Sequence, residues 1–193
     1  MKPLAYSYGT PGHCCTTMND HTPGPKAAHR SRSGREDVYN PVVDTVRFEI
    51  GKRDDPAKGI VDAVNVFVNG RNLVDVLREV ELPFATREGK PDLAGSYVGL
   101  PPEDVFLPSP RLLGEPTTDY DHDSSEGKIA ILGCVCGEPG CGPFRVRIAL
   151  RDDVVIWSGF EQPHRSWRYD EMRPFVFDRA QYLSALSQQP GEI

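Results

Sequence analysis

The sequence predicts an α+β fold: a mostly antiparallel sheet, two packed helices and a long irregular central connection. Apolar and polar residues alternate over 46–50, a pattern typical of a half-buried strand, and the largely apolar run 61–68 indicates a second strand. Apolar residues then recur at helical spacing over 73–80. Further strand-like runs and a second helical pattern fill 128–186. The sheet is therefore expected to combine an early hairpin with a C-terminal three-stranded meander.

The early hairpin is expected to pair 46–50 with 61–68 across a turn-rich loop at 51–59. An Asn-Gly pair then turns the chain into the first helix, where Asn72 stands in position to cap the N-terminus. One face of this helix is expected on the sheet, because apolar residues lie at i, i+3, i+4 and i+7: Leu73, Val76, Leu77 and Val80.

The central connection, 82–126, is rich in proline and is predicted to be irregular apart from a helical turn at 102–105. A connection of this length either wraps the sheet or carries function. Carboxylates alternate over 119–126, but a calcium-binding EF-hand loop needs glycine sixth and glutamate twelfth, where this chain has Ser124 and Ala130. A solvated acidic loop is therefore predicted there.

The C-terminal third is predicted to contain three consecutive antiparallel strands, at 128–132, 144–150 and 154–157. A short strand at 174–177 leads into a closing helix. Asp178 is placed to cap this helix, with Gln181 three residues further on, and Phe177 is placed to pack against Tyr182.

The domain organisation follows from composition. Residues 1–40 are predicted to be a disordered tail, because they contain almost no branched apolar residues. A single α+β domain is expected over 41–188, with a disordered C-terminus at 189–193. The cysteines and histidines of the tail have no scaffold, so no site is predicted among them. Met18 is an alternative to Met1 as the start of the chain.

The net charge of −6 argues against generic nucleic-acid binding, which needs a basic face. No apolar stretch is long enough to span a bilayer, and the N-terminus lacks the apolar core of a signal peptide. A cytoplasmic location without membrane association is therefore expected. Thiols stay reduced in that compartment, which favours metal binding or redox chemistry over structural disulfides.

The strongest chemical signal is the run Cys134, Cys136 and Cys141, because clustered thiols either bind a soft metal or exchange electrons. With a hairpin loop at 137–140, the expected strand pairs are Cys136 with Cys141, Cys134 with Pro143, Leu132 with Arg145, and Ala130 with Arg147.

This register would place the three thiols on one face of the hairpin, beside Arg145 and Arg147. Guanidinium groups there would favour thiolate over thiol, which makes both arginines candidate binding residues. The opposite face is predicted to be core, formed by Ile129, Ile131, Val135, Phe144, Val146 and Ile148.

Three interpretations of the cysteine run stay open: a zinc site, a redox-active thiol pair, or ordinary reduced cysteines. Zinc normally takes four ligands, so the fourth would be His122, His164 or water. Zinc is the cofactor candidate, and a structural role is expected for it, because three thiolates on a tight hairpin would mainly pin its end.

A second candidate surface is the aromatic–arginine segment, 157–169, in which His164, Arg165 and Trp167 combine anchors and polar groups typical of binding loops. Glu161 and His164 are also a candidate acid–base couple. The alternative is packing, with Trp157 and Phe160 in the core and Trp167 holding a loop over it. In that case Arg165, Arg168 and Arg173 are expected to pair with Asp170 and Glu171.

Four stretches resemble an uncharacterised family of bacterial, actinomycete-type hypothetical proteins: DVLREVELP from Asp75, GLPPEDVFL from Gly99, the run from Cys134 to Pro143, and FEQPH from Phe160 through FDRAQY to Tyr182. The resemblance covers roughly residues 44–187. It implies a bacterial cytosolic setting. That family has no assigned activity, so the resemblance implies no catalytic residue.

The function predicted from these observations is that of a small cytosolic binding or accessory protein with a structural zinc at the cysteine hairpin. It would recognise another protein or a small ligand through the central connection and the aromatic–arginine segment. The alternative is a thiol- or zinc-dependent enzyme centred on Cys134, Cys136 and Cys141, with His164 as proton carrier.

Overall fold

A computed structural model describes residues 43–115, 127–138 and 140–187. In this part of the chain, eight strands form two antiparallel sheets that pack with three α-helices. The predicted α+β class is confirmed. The predicted tail, the predicted C-terminal extension, the acidic loop 119–126 and His122 lie outside the described residues.

The first sheet has the order β1-β2-β3, with the bounds Val46–Asp55, Gly59–Val68 and Arg71–Asn72. The long hairpin loop predicted at 51–59 is wrong, because β1 continues to Asp55 and pairs with β2 over its whole length. A short turn suffices because the Asp55 side chain accepts the backbone N–H groups of Ala57 and Lys58, each at 3.0 Å.

Helix α1, Leu73–Arg87, begins as predicted, since the Asn72 side chain accepts the N–H of Val74 at 2.9 Å. The prediction that irregular structure starts at residue 82 is wrong, because the helix continues through Pro83. Proline removes one helical N–H donor, but the buried side of the helix persists beyond it at Ala85.

The second sheet has the order β4-β5-β6-β7-β8, with the bounds Tyr97–Val98, Ile129–Cys134, Phe144–Leu150, Val154–Glu161 and Phe175–Asp178. The predicted meander is therefore confirmed. Strand β4 comes from the connection that the sequence predicted to be irregular, and this connection also forms the predicted short helix α2, Pro102–Val105. The connection thus extends the sheet at the edge next to β5.

The closing helix, α3, spans Arg179–Leu186 and has the predicted cap, because Asp178 accepts the N–H of Gln181 at 2.8 Å. Phe177 stacks on Tyr182 with ring centroids 5.7 Å apart, as predicted. Tyr182 is fully buried and accepts the indole N–H of Trp157 at 3.1 Å. These contacts fix α3 against the second sheet.

The predicted core face is confirmed at five positions: Ile129, Ile131, Phe144, Val146 and Ile148. It is wrong at Val135, which is 53% exposed. The reason is that β5 ends at Cys134, so Val135 belongs to the turn that follows and no longer has a sheet face to share.

Candidate metal centre

The three predicted cysteines meet at a turn that begins where β5 ends. The Sγ atoms of Cys134, Cys136 and Cys141 all lie within 4.8 Å of one another, and those of Cys134 and Cys136 are 3.1 Å apart. We call residues 134–138 and 140–142 the cysteine turn. Cys136 and Cys141 are exposed and Cys134 is partly buried, so the thiols are accessible from solvent.

The local backbone explains why the turn brings the thiols together. The N–H of Gly137 donates to the carbonyl of Cys134 at 3.0 Å, and the N–H of Cys141 donates to the carbonyl of Glu138 at 3.3 Å. Gly137 has a φ of 83°, a left-handed conformation that glycine adopts without strain. Two successive tight bends therefore fold the chain back on itself and bring Cys141 to the other two cysteines.

The convergence of the thiols was predicted, but the predicted strand register is wrong. Strands β5 and β6 pair Ala130 with Arg145 and Leu132 with Phe144, with an irregularity between these pairs. Cys134 lies opposite Tyr97 of β4 instead of Pro143. The observed pairs differ from the predicted register by one residue at Leu132 and by two residues at Ala130, and the turn, rather than strand alternation, brings the thiols together.

The tip of the β1–β2 hairpin packs against the cysteine turn. A side-chain carbon on Gly137 would lie 3.0 Å from Asp55 Oδ2 and 3.7 Å from Pro56. Asp55 is buried and forms an ion pair with Arg53 at 2.9 Å. The missing side chain at Gly137 thus allows a close approach between the turn and a distant hairpin.

Residues that follow β7 pack against the same turn. A side-chain carbon on Gly142 would lie 3.1 Å from Gln162 Nε2 and 4.0 Å from Cys134 Sγ. Gln162 is buried, and its Oε1 accepts the backbone N–H of His164 at 2.7 Å. His164 Nε2 lies 2.8 Å from the carbonyl oxygen of Gly140. The structure therefore brings one predicted binding residue, His164, to the cysteine turn.

The three thiols have different acidities. The pKa of Cys136 is lowered, because its sulfur accepts hydrogen bonds from the backbone N–H of Glu138 and from the other two thiols. The pKa of Cys134 is raised, mainly by burial. Hydrogen bonds to Cys136 and Cys134 raise the pKa of Cys141 to about 12. Cys136 is therefore the thiol of the three that ionises most readily.

The spacing of the sulfurs suits a tetrahedral metal ion. Zinc–sulfur bonds of about 2.3 Å place tetrahedral ligands about 3.8 Å apart. The Sγ atoms of Cys134 and Cys136 are 3.1 Å apart and all three sulfurs lie within 4.8 Å of one another, a range that includes this value. Small side-chain rotations suffice to adjust the thiols to a shared ion.

The predicted arginines lie along β6. Arg145 is buried and pairs in the sheet with Ala130 and Glu161. Arg147 lies opposite Ser158, and its guanidinium is 3.5 Å from where a side-chain carbon on Gly159 would be. The leading influences on the thiol pKa values are burial, backbone groups and neighbouring thiols. The binding role of the two arginines stays a prediction.

At Trp167, the structure agrees with the packing interpretation of the aromatic–arginine segment. Its ring is 8% exposed, and its indole N–H donates to Glu88 Oε1 at 2.7 Å. Arg165 donates to the other carboxylate oxygen of Glu88 at 3.0 Å and lies over the Trp167 ring at 5.2 Å. Through these two hydrogen bonds, Glu88 holds the aromatic–arginine segment against the C-terminal end of α1. No pattern in the sequence had indicated a role for Glu88.

The other charged groups of this region pair only partly as predicted. Arg168 forms an ion pair with Asp170, as expected. Arg173 pairs with the buried Asp44 at 2.6 Å, so its predicted partners are wrong. Glu161 forms an ion pair with Lys128. Its partner is therefore not His164, with which it was considered as an acid–base couple.

A buried polar cluster adjoins the cysteine turn at β4, where Tyr97 pairs with Cys134, and no pattern in the sequence indicated it. Glu81 is completely buried and accepts hydrogen bonds from Tyr97 Oη at 2.5 Å, from Tyr169 Oη at 2.7 Å and from the N–H of Gly95 at 2.8 Å. Burial raises the pKa of Glu81 despite these hydrogen bonds. We call these four residues the Glu81 cluster.

Comparisons of the chain with protein-family models, curated proteins and solved structures found no match. Among the described residues, none of the helices combines the length and the apolar character needed to cross a bilayer.

Proposed function

We propose that this protein is a small zinc-binding accessory protein, in which Cys134, Cys136 and Cys141 hold the ion as thiolates. The convergence of the three sulfurs within 4.8 Å supports the proposal most directly. Zinc is favoured over hard cations because thiolate is a soft ligand. The ion would neutralise the negative charge of the bound thiolates.

The proposed role of the metal is to pin the cysteine turn. Three separate segments already pack on or pair with it: Asp55 of the β1–β2 hairpin, Tyr97 of β4, and Gln162. Val135 is 53% exposed on this turn and is the apolar side chain that we propose a partner would contact there. The partner class we propose is another protein or a small ligand, in a bacterial cytoplasmic setting, without membrane or generic nucleic-acid binding.

The proposal is tested by loading reduced protein with Zn²⁺, removing unbound metal and measuring zinc by elemental analysis. One equivalent per chain is expected from a single site. Retention of less than about a tenth of an equivalent, relative to that one-metal stoichiometry, would exclude the site. The cysteines of the N-terminal region must be replaced by serine in a parallel sample, so that bound metal is assigned to the cysteine turn.

A second candidate function, a thiol-dependent enzyme, is favoured by one observation. Cys136 is exposed and has a lowered pKa, the combination that makes a cysteine nucleophilic. In metal-free protein, we expect Cys136 to react with iodoacetamide well below the usual thiol pKa of about 8.5, and Cys141 to react last. Uniformly slow labelling of all three thiols at neutral pH would contradict the enzyme.

A further inference from the structure

The open question at the cysteine turn is the fourth ligand. Structural zinc sites are closed by four protein ligands, whereas catalytic sites keep one position for water or substrate. The fourth group therefore decides whether a zinc ion at the cysteine turn is structural or catalytic. His164 is the only histidine among the described residues, and it lies at the cysteine turn.

The hydrogen bond of His164 has the form that ligating histidines use. Metal-bound histidine almost always donates its second ring N–H to a carboxylate, a backbone carbonyl or water. The carbonyl of Gly140 can only accept, so the contact at 2.8 Å places the proton on Nε2. The lone pair of a neutral ring then lies on Nδ1, which becomes the ligand atom.

Hydrogen bonds fix the position of the His164 backbone relative to the cysteine turn. Gln162 accepts the N–H of His164 at 2.7 Å, while the Nε2 atom of the same glutamine lies next to Gly142 of the cysteine turn. The N–H of Arg165 closes the turn on the carbonyl of Gln162 at 3.1 Å. The segment is thus anchored through one buried amide that also contacts the cysteine turn.

The ligand atoms that lie within 4.8 Å of one another are the three sulfurs, and His164 is not among this group. The exposed His164 loop must therefore shift towards the sulfurs when the ion binds, with Nε2 keeping its contact with Gly140. We propose that His164 Nδ1 is the fourth ligand of a closed Cys₃His zinc site, with the Gly140 carbonyl as its hydrogen-bond acceptor. This inference rests on the proposed function. It makes the metal structural and removes the open position that a zinc-dependent catalyst would require.

The test compares Zn²⁺ affinities of reduced wild-type, H164A, H164N and H122A proteins by competition with a chromophoric chelator. We expect H164A and H164N to lose at least about 10-fold in affinity, since even groups that only orient a ligand contribute about 10–100-fold. H122A is the matched control, because it removes the other histidine considered from the sequence, and it should bind as wild type does.

Imidazole ¹⁵N spectra provide a second measurement on intact wild-type protein. Addition of Zn²⁺ should shift the Nδ1 resonance of His164 and leave its Nε2 protonated. Circular dichroism of H164A confirms that the variant is folded, and H164N retains a polar side chain in case alanine perturbs the loop.

The possible outcomes distinguish a failure of the His164 ligand from a failure of the zinc site itself. Equal affinity of H164A and wild type, with one zinc still bound, would overturn the histidine ligand and leave the three-thiolate site standing. Loss of affinity in H122A alone would assign the fourth position to His122. Absence of zinc from wild type would refute the zinc site itself.

Discussion

Two polar clusters meet at the β4–β5 strand pair and differ in how their groups are satisfied. In the Glu81 cluster, three donors from Tyr97, Tyr169 and Gly95 meet one carboxylate that is completely buried. In the cysteine turn, three thiols face one another near the surface. Tyr97 lies directly opposite Cys134, so the two clusters share a strand pair.

The contrast shows which cluster is complete. The oxygens of Glu81 accept and its partners donate, so the buried cluster needs nothing from outside. The thiols donate and accept hydrogen bonds among themselves, but raised pKa values at Cys134 and Cys141 disfavour ionisation of these two groups. A completed cluster supports the fold, whereas an incomplete one is suited to bind a cation.

The largest effect is expected from a variant that removes thiols of the cysteine turn. The double variant C136S/C141S should retain no zinc, because it removes two of three thiolate ligands from a class of site that binds with about 10–16 kcal/mol. Elemental analysis and the zinc-dependent rise in Tm measure this. Since Cys136 and Cys141 are exposed, the metal-free variant should unfold like metal-free wild type. Full zinc retention would contradict the site.

The next largest effect is expected from a variant that removes the central carboxylate of the Glu81 cluster. E81A leaves two tyrosine hydroxyls and one buried N–H without an acceptor, at about 1–3 kcal/mol for each group. We expect the free energy of unfolding to fall by about 3 kcal/mol or more on that basis. Urea denaturation measures it. A loss below about 1 kcal/mol, the lower bound for a single unsatisfied group, would show that the cluster is not a fold support.

The pH dependence of stability adds a second distinction between the clusters. Since the pKa of Glu81 is raised in the folded state, folded protein holds this proton more tightly than unfolded protein does. Its contribution to stability is therefore present below the unfolded-state pKa and is lost as pH rises through the folded-state pKa. A tenfold difference in proton affinity between the folded and unfolded states corresponds to about 1.4 kcal/mol of stability.

The pH measurement is the difference in unfolding free energy between wild type and E81Q from pH 4 to 8, since other titrating groups then cancel. We expect the stability of wild type relative to E81Q to decline with increasing pH across this window. A flat difference would show that the ionisation of Glu81 is not linked to folding.

The smallest expected effect concerns a contact outside both clusters. W167F keeps most of the buried ring but removes the indole N–H that donates to Glu88 at 2.7 Å. We expect a loss of about 1.5–3 kcal/mol, the range for hydrogen bonds to charged groups, reduced towards the lower end by the partial exposure of Glu88. Zinc affinity should not change, and W167F therefore serves as a stability control for H164A.

Features that are written into neighbouring residues could be predicted from the sequence. Strand alternation, the Asn72 and Asp178 caps and the meander were predicted, because each depends on positions within one or two turns of chain. The grouping of the three cysteines was also predicted, because only a few residues separate them. Their actual register was not, since a bulge leaves no pattern that strand alternation can detect.

The surroundings of the cysteine turn, by contrast, depend on tertiary structure. His164 meets Gly140 across 24 residues of chain, Trp167 meets Glu88 across 79, and Tyr169 meets Glu81 across 88. The identity and position of a single glutamate or histidine in a sequence do not indicate which residue it will contact in the folded protein. Such pairs are fixed by how the sheets pack, because burying a polar group is stable only where the fold delivers a complementary one.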